Sequence, residues 1–466
     1  MKLNQILCAA AAAAALALSA EEPVKMSDAH ERYLNRGIIA IVHWGPNTYT
    51  GQEWGFGNVD PKKVTPTKLD PAQWVKAMKD GGIKGVVLVA KHHDGFCLWP
   101  SKLNQDYSTA ALDGANKDAD IVRQVERACR KEGLDFGVYL SPWDRRRGDY
   151  AAPSYVDYFH AQWADLLKNY GDICEIWLDG ANGGDGWYGG ANGGKGEKRS
   201  IPAGYYRKPD LLAALVAAHP KAVAFGGHYH NSVAWCGNER GVSPEDWQYA
   251  RKGDDGKLYF MPPEADTPLR GGWFFHGDQR PKSLKQMVET YFSSVGRGAV
   301  LNWGIAPDKE GRVCEADVKR LKEFGDYVRT FEAIDFARKA KKKTGGEGNA
   351  TTLTWKLADT VAFNAVDFGE NLRDGQLAKS WKLEIKSADG WKEIAKGGCV
   401  GFRRIARFDE VKAAEVRLTV AGESARPKIV RAALRYAAKV ADDGSVDYGE
   451  TDTAKWMTGK EREKRR

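Results

Sequence analysis

Cysteine is scarce in this 466-residue chain, and none of its seven cysteines belongs to a Cys-x-x-Cys pair. Such pairs are typical of structural zinc clusters, so the sequence argues against a module of that kind. The wide spacing also argues against the dense disulfide framework of small secreted domains. We expect the cysteines after Cys8 to be mostly buried free thiols, with one disulfide possible.

Long apolar runs are rare as well. The run from Ile6 to Leu18 is too short for a membrane span, so we expect no stable membrane insertion. It follows a positive start at Lys2 and ends near Ala20, which is typical of a secretory signal peptide over residues 1–20. The chain is therefore predicted to be exported, to the periplasm or the medium.

Charge of one sign is concentrated only at the C-terminus. The net charge is +8, and the segment 459–466 holds several of the cations, whereas both signs mix elsewhere. This distribution is typical of a solvated surface with a basic tail, and we predict no nucleic-acid partner. Nothing in the composition indicates an oligomeric state.

Strand-like and helix-like segments alternate from about residue 36 to residue 335. The first strand lacks the glycine-rich loop of an open, dinucleotide-binding sheet. Repeated β-then-α units over roughly 250–300 residues therefore predict an α/β fold with a (β/α)8-like, TIM-type barrel. The predicted strands are 37–42, 85–90, 135–140, 173–178, 222–225 and 299–302, and the main helices are 70–78, 118–131, 155–170, 211–218 and 283–294.

The pattern changes at a charged, glycine-ended segment, 338–346, which we interpret as a linker between a barrel over 21–337 and a second domain. Short alternating runs follow, and they predict an antiparallel β-sandwich over 347–440, ahead of a charged tail over 441–466. We favour a bracing role for this accessory domain, because no aromatic cluster marks a binding face.

Polar and aromatic residues follow the predicted strands, where barrel enzymes carry their chemistry. His43, His92 and His93 all come after strands. They favour hydrogen bonding to hydroxyl groups, with a metal site or a structural role as alternatives. Adjacent histidines on an extended chain point in opposite directions, so His92 and His93 would share an ion only if a turn intervened.

Carboxylates provide the second signal. Asp179 directly follows a buried-type strand, so its side chain should lie at the barrel mouth, with Trp177 on the same side. Splitting a glycosidic bond needs two carboxyl groups, and the partner candidates are Glu239, Glu264 and Glu53. The proton donor needs a raised pKa, and burial against an aromatic residue such as Trp235 or Trp273 would supply it.

A series of motifs, in order along the barrel region, resembles glycoside hydrolase family 29, the α-L-fucosidases. The motifs are His43-Trp44-Gly45, Glu53-Trp54, Lys91-His92-His93-Asp94-Gly95-Phe96, Trp99-Pro100-Ser101, Tyr139-Leu140-Ser141-Pro142-Trp143 and Trp177-Leu178-Asp179-Gly180.

The resemblance implies a retaining exo-hydrolase that uses two carboxyl groups and no metal or organic cofactor. Asp179 matches the nucleophile of the family. The positions that hold the fucose ring are matched by His43, Glu53, Trp54, His92, His93, Tyr139 and Trp177. The implied substrate is a fucosylated oligosaccharide or glycoprotein glycan.

The segments 179–183, 235–239 and 270–276 resemble the subgroup that cleaves α-1,3- and α-1,4-linked fucose. In that subgroup the glutamate of Gly-Asn-Glu matches Glu239 as proton donor, with Glu264 as the second candidate and Trp273 in the substrate site. Three alternatives stay open here: a fucosidase of broad specificity, a non-catalytic fucose-binding protein, and a metal-dependent hydrolase using His43, His92 and His93.

Overall fold

The computed structural model describes residues 24–181 and 201–456. The predicted signal peptide and residues 457–466 of the predicted tail lie outside the described residues. None of the helices within the described ranges combines the length and apolarity that a membrane crossing requires.

Eight parallel strands close into the predicted barrel, each hydrogen-bonded to the next along the chain and the last to the first. They are β1 (Ile38–Val42), β2 (Gly85–Lys91), β3 (Asp135–Leu140), β4 (Ile173–Trp177), β5 (Val223–Phe225), β6 (Ser232–Trp235), β9 (Pro263–Pro268) and β10 (Val300–Ile305). A separate antiparallel hairpin, β7 (Ala250–Lys252) and β8 (Leu258–Phe260), lies between β6 and β9 in the chain. Every residue of β1, β2, β4 and β10 is buried, as expected for strands covered on both faces.

The helices of the barrel region are Asp28–Arg36, Pro46–Thr50, Pro71–Asp80, Ile121–Glu132, Pro153–Asn169, Lys208–Ala218, Leu284–Ser294 and Glu315–Ala333. The predicted start of the helix near residue 70 is confirmed. The Asp70 carboxylate accepts a hydrogen bond from the backbone N–H of Gln73 at 3.0 Å, and Pro71 occupies the first helical position.

Two barrel strands, β6 and β9, were absent from the sequence prediction. The connection from β5 to β6 is a short loop over 226–231, not a helix, so the β-then-α rhythm breaks there. β9 begins and ends with proline and carries Glu264 and Asp266, which gives it no apolar run to recognise. Proline is tolerated at strand ends, and carboxylates that face a barrel interior hide the usual strand pattern.

The C-terminal domain is an antiparallel sheet in the order β11-β12-β15-β13-β14, with β16 also paired to β12. The strands are β11 (Lys341–Gly345), β12 (Ala350–Glu370), β13 (Ala378–Ser387), β14 (Gly390–Gly397), β15 (Arg404–Gly422) and β16 (Ile429–Arg435). β12 and β15 are long and change register twice along their pairing, and residues from both of their halves contribute to one apolar cluster. The sandwich-like layering of the domain thus comes from β12 and β15, which are long enough to contribute to both of its layers.

Two details differ from the prediction. Within the segment interpreted as a linker, Lys341–Gly345 forms β11, because its backbone pairs with residues 352–356 of β12 although every residue of β11 is exposed. The six cysteines in the described ranges are all free thiols, so the possible disulfide does not form among them.

Candidate active site

A cavity of about 280 Å³ lies at the carboxyl ends of the barrel strands, and we call it the carboxyl-end cavity. Its volume is near the lower end of the range of roughly 300–1,000 Å³ typical of small-molecule sites. The lining residues are Ile41, His43, Trp54, His92, His93, Tyr139, Trp177, Asp179, Gly180, Ala181, Phe225, Trp235, Glu239, Asp266 and Trp273. All but two of the predicted site residues are therefore brought together.

Asp179 follows β4 and is held by hydrogen bonds to both carboxylate oxygens. The Tyr139 hydroxyl donates to Oδ2 at 2.8 Å, and the backbone N–H of Ala181 donates to Oδ1 at 2.7 Å. Burial raises the pKa of Asp179 above its ordinary value, and these hydrogen bonds oppose the rise. The side chain is 24% exposed, so the carboxylate is oriented by the protein and still open to the cavity.

One wall of the cavity is a stack of aromatic rings on neighbouring strands. The Tyr139 ring packs on Trp177 with 5.2 Å between ring centroids, and Trp177 lies parallel to Phe225 at 3.9 Å. Burial, and then the nearby Asp179 charge, raise the pKa of Tyr139 well above its ordinary value. Tyr139 therefore keeps its proton and remains a hydrogen-bond donor to Asp179.

His92 and His93 both face the cavity because a turn follows β2. The backbone N–H of Gly95 donates to the carbonyl of His92 at 3.0 Å, and Gly95 has a φ of +85°. A Cβ at Gly95 would lie 2.5 Å from a carboxylate oxygen of Asp144, so only glycine fits this turn. The turn places the two imidazole rings 4.1 Å apart, where a continuing strand would have separated them.

The three cavity histidines are uncharged. Burial and the neighbouring rings hold the pKa of His43 and of His92 well below the ordinary value. Burial, His43 and nearby cations lower the pKa of His93 to about 3. Within the described part of the chain, the buried Nδ1 atoms of His43 and His92 have no hydrogen-bond partner. Neutral imidazoles can both donate and accept a hydrogen bond, which suits the predicted hydroxyl binding.

A short hydrogen-bond chain assigns the tautomer of His93. The Ser141 hydroxyl donates to the carbonyl of Trp143 at 2.7 Å, so the hydroxyl oxygen is an acceptor for Nδ1–H of His93, 2.6 Å away. Nε2 of His93 then carries a lone pair. It lies 3.6 Å from Oδ2 of Asp179.

Glu239 lies beyond β6 and lines the same cavity as Asp179. It is exposed, so neither Trp235 nor Trp273 buries it in the way predicted for the proton donor. The Trp235 side chain is itself 46% exposed. The two residues therefore form an open part of the cavity wall, where a group projecting from the cavity would meet them.

Asp266 is a cavity carboxyl that was not among the predicted site residues. It is buried, and its Oδ1 accepts a hydrogen bond from the Trp235 indole N–H at 2.6 Å. Burial is the main reason that the pKa of Asp266 is raised to about 8, and Glu264 and Glu239 raise it further. Glu264 and Asp266 lie two positions apart on β9, and side chains two positions apart in a strand share a face. That spacing is the signal from which Asp266 could have been found once Glu264 was a candidate.

Glu264 does not line the cavity, which differs from the prediction that made it a second proton-donor candidate. It is completely buried in the barrel interior, and its carboxylate accepts three hydrogen bonds. The donors are the Tyr33 hydroxyl at 2.8 Å, the Trp177 indole N–H at 2.9 Å and the Asn302 amide at 2.8 Å. A carboxylate engaged in this way supports Trp177 from below.

Glu53 also lies outside the lining, although it was predicted to hold substrate. Its Oε2 accepts from the backbone N–H of Trp273 at 2.9 Å, and its Oε1 is 2.8 Å from Nε2 of His276. A Cβ at Gly272 would lie 2.3 Å from Oε1 of Glu53, so the loop approaches this carboxylate closely. Glu53 thus positions the loop that presents Trp273 to the cavity.

Across residues 24–181 and 201–456, no three His, Cys, Asp or Glu side chains are arranged to share a metal ion. The absence of a cofactor stays a prediction from the resemblance.

The comparisons with known proteins agree on one family. The family model described as alpha-L-fucosidase matches residues 16–332. Alpha-L-fucosidase 1 of Arabidopsis thaliana is 32% identical over 430 residues, covering 82% of this chain and 82% of its own length.

Solved structures give the same result. A glycoside hydrolase 29 family member from an unknown rumen bacterium superposes with a TM-score of 0.82 at 34% identity, over 91% of this chain and 79% of its own. A Ruminococcus gnavus GH29 fucosidase in complex with fucose gives 0.79 at 25% identity, over 92% and 98%. This chain belongs to the α-L-fucosidases of glycoside hydrolase family 29.

Proposed function

We propose that this α-L-fucosidase is a retaining exo-enzyme that removes terminal α-1,3- or α-1,4-linked fucose from oligosaccharides or glycoprotein glycans. The observation that carries the proposal is that Asp179 and Glu239 line one cavity, whose walls are aromatic rings and neutral imidazoles. Double displacement requires two carboxyl groups beside a cavity that can hold a sugar ring.

In the first step, a carboxylate oxygen of Asp179 attacks the anomeric carbon of fucose. The bond from that carbon to the leaving sugar oxygen breaks, and Glu239 gives its proton to that oxygen. Tyr139 and the Ala181 N–H hold the attacking carboxylate in position. The product is a fucosyl ester on Asp179 and a released sugar with a free hydroxyl.

In the second step, the ionised Glu239 takes a proton from water. The water oxygen attacks the anomeric carbon, and the ester bond to Asp179 breaks. Two inversions at one carbon restore the original configuration, so fucose leaves with its anomeric configuration retained. This chemistry requires the two carboxyl groups to be about 5–5.5 Å apart with substrate bound, whereas an inverting enzyme needs roughly 6.5–9.5 Å.

Five other lining residues contact the fucose ring. His43, His92 and His93 are neutral and exchange hydrogen bonds with ring hydroxyls. Trp273 offers an apolar face to the ring carbons and the methyl group, whereas Trp177, stacked between Tyr139 and Phe225, presents its edge.

The linkage proposal depends on the open side of the cavity. Trp235, fixed by Asp266, provides an exposed aromatic face beside Glu239. A leaving sugar that stacks there would cover Glu239 and bring its glycosidic oxygen within reach of this proton donor. A branched α-1,3/1,4 substrate presents such a sugar next to the scissile bond.

Hydrolysis of three substrates tests this proposal: an aryl fucoside, a Lewis trisaccharide and an α-1,2-linked fucoside. Strong preference for the trisaccharide is the expected result. Comparable rates on the trisaccharide and the 1,2-linked compound would replace the linkage proposal with a fucosidase of broad specificity. Proton NMR of the first-formed fucose anomer tests retention, and initial release of the inverted anomer would overturn double displacement.

A non-catalytic fucose-binding protein and a metal-dependent hydrolase have less support. Membership of an enzyme family, with both carboxyl groups at the cavity, disfavours the binding protein. A metal-dependent hydrolase predicts loss of activity in chelator, and full activity in chelator would eliminate it.

A further inference from the structure

A second cavity lies at the opposite end of the barrel, and we call it the amino-end cavity. It also encloses about 280 Å³. On the barrel side it is lined by Ile38 at the start of β1, by Lys84 just before β2 and by Ala299 just before β10. On the other side its wall comes from the C-terminal domain, through Phe402 and the arginines of β16. The cavity is therefore built by both domains.

The lining of this cavity is strongly cationic. Of its six charged side chains, five are cations and one is a carboxylate, Glu332. The cations are Arg36, Lys84, Arg403, Arg431 and Arg435. Arg36, Arg403 and Arg435 are buried, so water does not screen them well. An enclosed space with this excess of positive charge attracts small anions.

Three of the cations already have protein partners. Arg36 bonds Asp135 at 2.9 Å and Glu175 at 2.8 Å. Arg403 and Arg435 share Asp367, each at 2.8 Å. Although burial alone would raise it, these arginines hold the pKa of Asp367 at about 2. Asp367 is thus a permanent anion that compensates this pair.

The other two cations make no direct ion pair with a described carboxylate, although the charge of Glu332 acts on both and that of Asp367 acts on Arg431. Among the described residues, the guanidinium of Arg431 makes no hydrogen bond or ion pair, and it lies 6.0 Å from the Phe402 ring centroid. Burial, and then the neighbouring Arg403, lower the pKa of Arg431. In the same ranges, the only hydrogen bond of the Lys84 ammonium group goes to the backbone carbonyl of Asn35, at 3.4 Å. Oε1 of Glu332 is already engaged by Arg403.

We propose that the amino-end cavity binds a small oxyanion, of the class of inorganic phosphate or sulfate, between Lys84 of the barrel and Arg431 of the C-terminal domain. The guanidinium offers a planar set of donors that matches an oxyanion, and the ammonium offers a compact second charge. The bound anion would offset the two unpaired cations and tie the domains together. This inference does not depend on the linkage or mechanism proposed above.

Thermal unfolding and isothermal titration calorimetry on the full chain test the proposal. Inorganic phosphate is added at pH 7, and chloride at matched ionic strength is the reference. We expect a saturable rise in Tm with phosphate and a measurable heat of binding. In Arg431→Gln, the phosphate affinity should fall at least about tenfold, because a charged donor set is lost.

Arg426→Gln is the matched control. Arg426 is an exposed arginine of the same domain, and within the described ranges its guanidinium bonds the carbonyls of Gly346 and Gly348, outside the cavity. This variant should bind phosphate like the parent chain. Lys84→Met provides a second test from the barrel side, in case Arg431→Gln does not fold.

The outcomes are distinct. Saturable phosphate binding that weakens in Arg431→Gln or Lys84→Met but not in Arg426→Gln supports the site. No saturable effect in the parent chain overturns it. Unchanged phosphate binding in both cavity variants also overturns it, because the ion would then bind elsewhere.

Discussion

The barrel encloses a cavity at each end, and the two have equal volume, about 280 Å³, but opposite chemistry. The carboxyl-end cavity is walled by aromatic rings, uncharged histidines and carboxyl groups. The amino-end cavity is walled by arginine and lysine. Volume therefore does not distinguish a catalytic cavity from an inter-domain one. The two are distinguished by the charge of their lining side chains and by the hydrogen bonds that those side chains can still make.

The difference follows from how each end is built. The carboxyl ends of the strands continue into loops whose side chains point into one space, so residues far apart in sequence meet there. The amino ends pack on the C-terminal domain, and their charged groups mainly pair with one another. If this contrast is correct, variants at the first end change turnover, and variants at the second end change stability or anion binding.

The largest expected effect is at Asp179. Asp179→Ala should lower kcat on an aryl fucoside by at least about 1,000-fold, because no covalent intermediate can form. Azide should restore turnover by acting as an external nucleophile, and it should yield a fucosyl azide. Arg431→Gln, at the other end, should keep kcat within about twofold. Near-parent activity in Asp179→Ala, or a large loss in Arg431→Gln, would break the contrast.

A smaller effect is expected at Glu239. Glu239→Gln should lower kcat on a Lewis trisaccharide by about 100- to 10,000-fold, since general acid catalysis is removed. An aryl fucoside with an acidic phenol leaving group should be affected much less in its first step, because that group departs without a proton. The pre-steady-state release of the phenol measures this. Glu245→Gln, at an exposed glutamate a few positions further along the chain, is the control. Equal losses on both substrates would argue against the acid role.

Glu264, which lines neither cavity and is buried in the barrel interior, should affect stability first. Glu264→Gln keeps the shape but sets an amide N–H against groups that donate to this side chain, at a cost of about 1–3 kcal/mol in the free energy of unfolding. Urea unfolding followed by Trp fluorescence measures it. The exposed Glu347→Gln should change stability by less than about 0.5 kcal/mol. Unchanged stability with lost turnover would instead make Glu264 a catalytic residue.

A separate effect is the pH dependence of stability at Asp266. Its folded pKa of about 8 lies above the ordinary unfolded value, so the folded state binds the proton more tightly. Its contribution to stability is full below about pH 4 and is lost as the pH rises towards 8. We therefore compare the free energy of unfolding in urea for the parent chain and for Asp266→Asn. The parent value minus the variant value should decrease as the pH rises from 5 to 8. A flat difference would mean that Asp266 is already ionised.

Most of the site could be predicted because strand ends can be read from sequence. Asp179, His43 and His92 each follow an apolar run, and barrel geometry brings such positions to one mouth. The sequence did not reveal that Asp266, rather than Glu264, lines the cavity, since both lie on the same face of β9 and differ in their position along the barrel axis. That position depends on the layers of the closed barrel, which no local pattern encodes.

Long-range partners were the other limit. Glu53 contacts Trp273, 220 positions away, so its role in holding a loop is invisible locally. β11 was missed for a related reason: its exposed lysines give no strand pattern, and the pairing with β12 supplies its structure. The structure of such elements depends on residues that are distant in sequence and adjacent in space.

The tautomer of His93 has a consequence for what the enzyme accepts. With Nδ1–H committed to Ser141, the lone pair of Nε2 faces Oδ2 of Asp179 across 3.6 Å. Two electron-rich atoms oppose each other there, and a polarised hydrogen brought by the ligand relieves their repulsion. A ligand with fluorine in place of the hydroxyl at this point would have similar size but would bring a third electron-rich atom. The enzyme would reject it by polarity, not by shape.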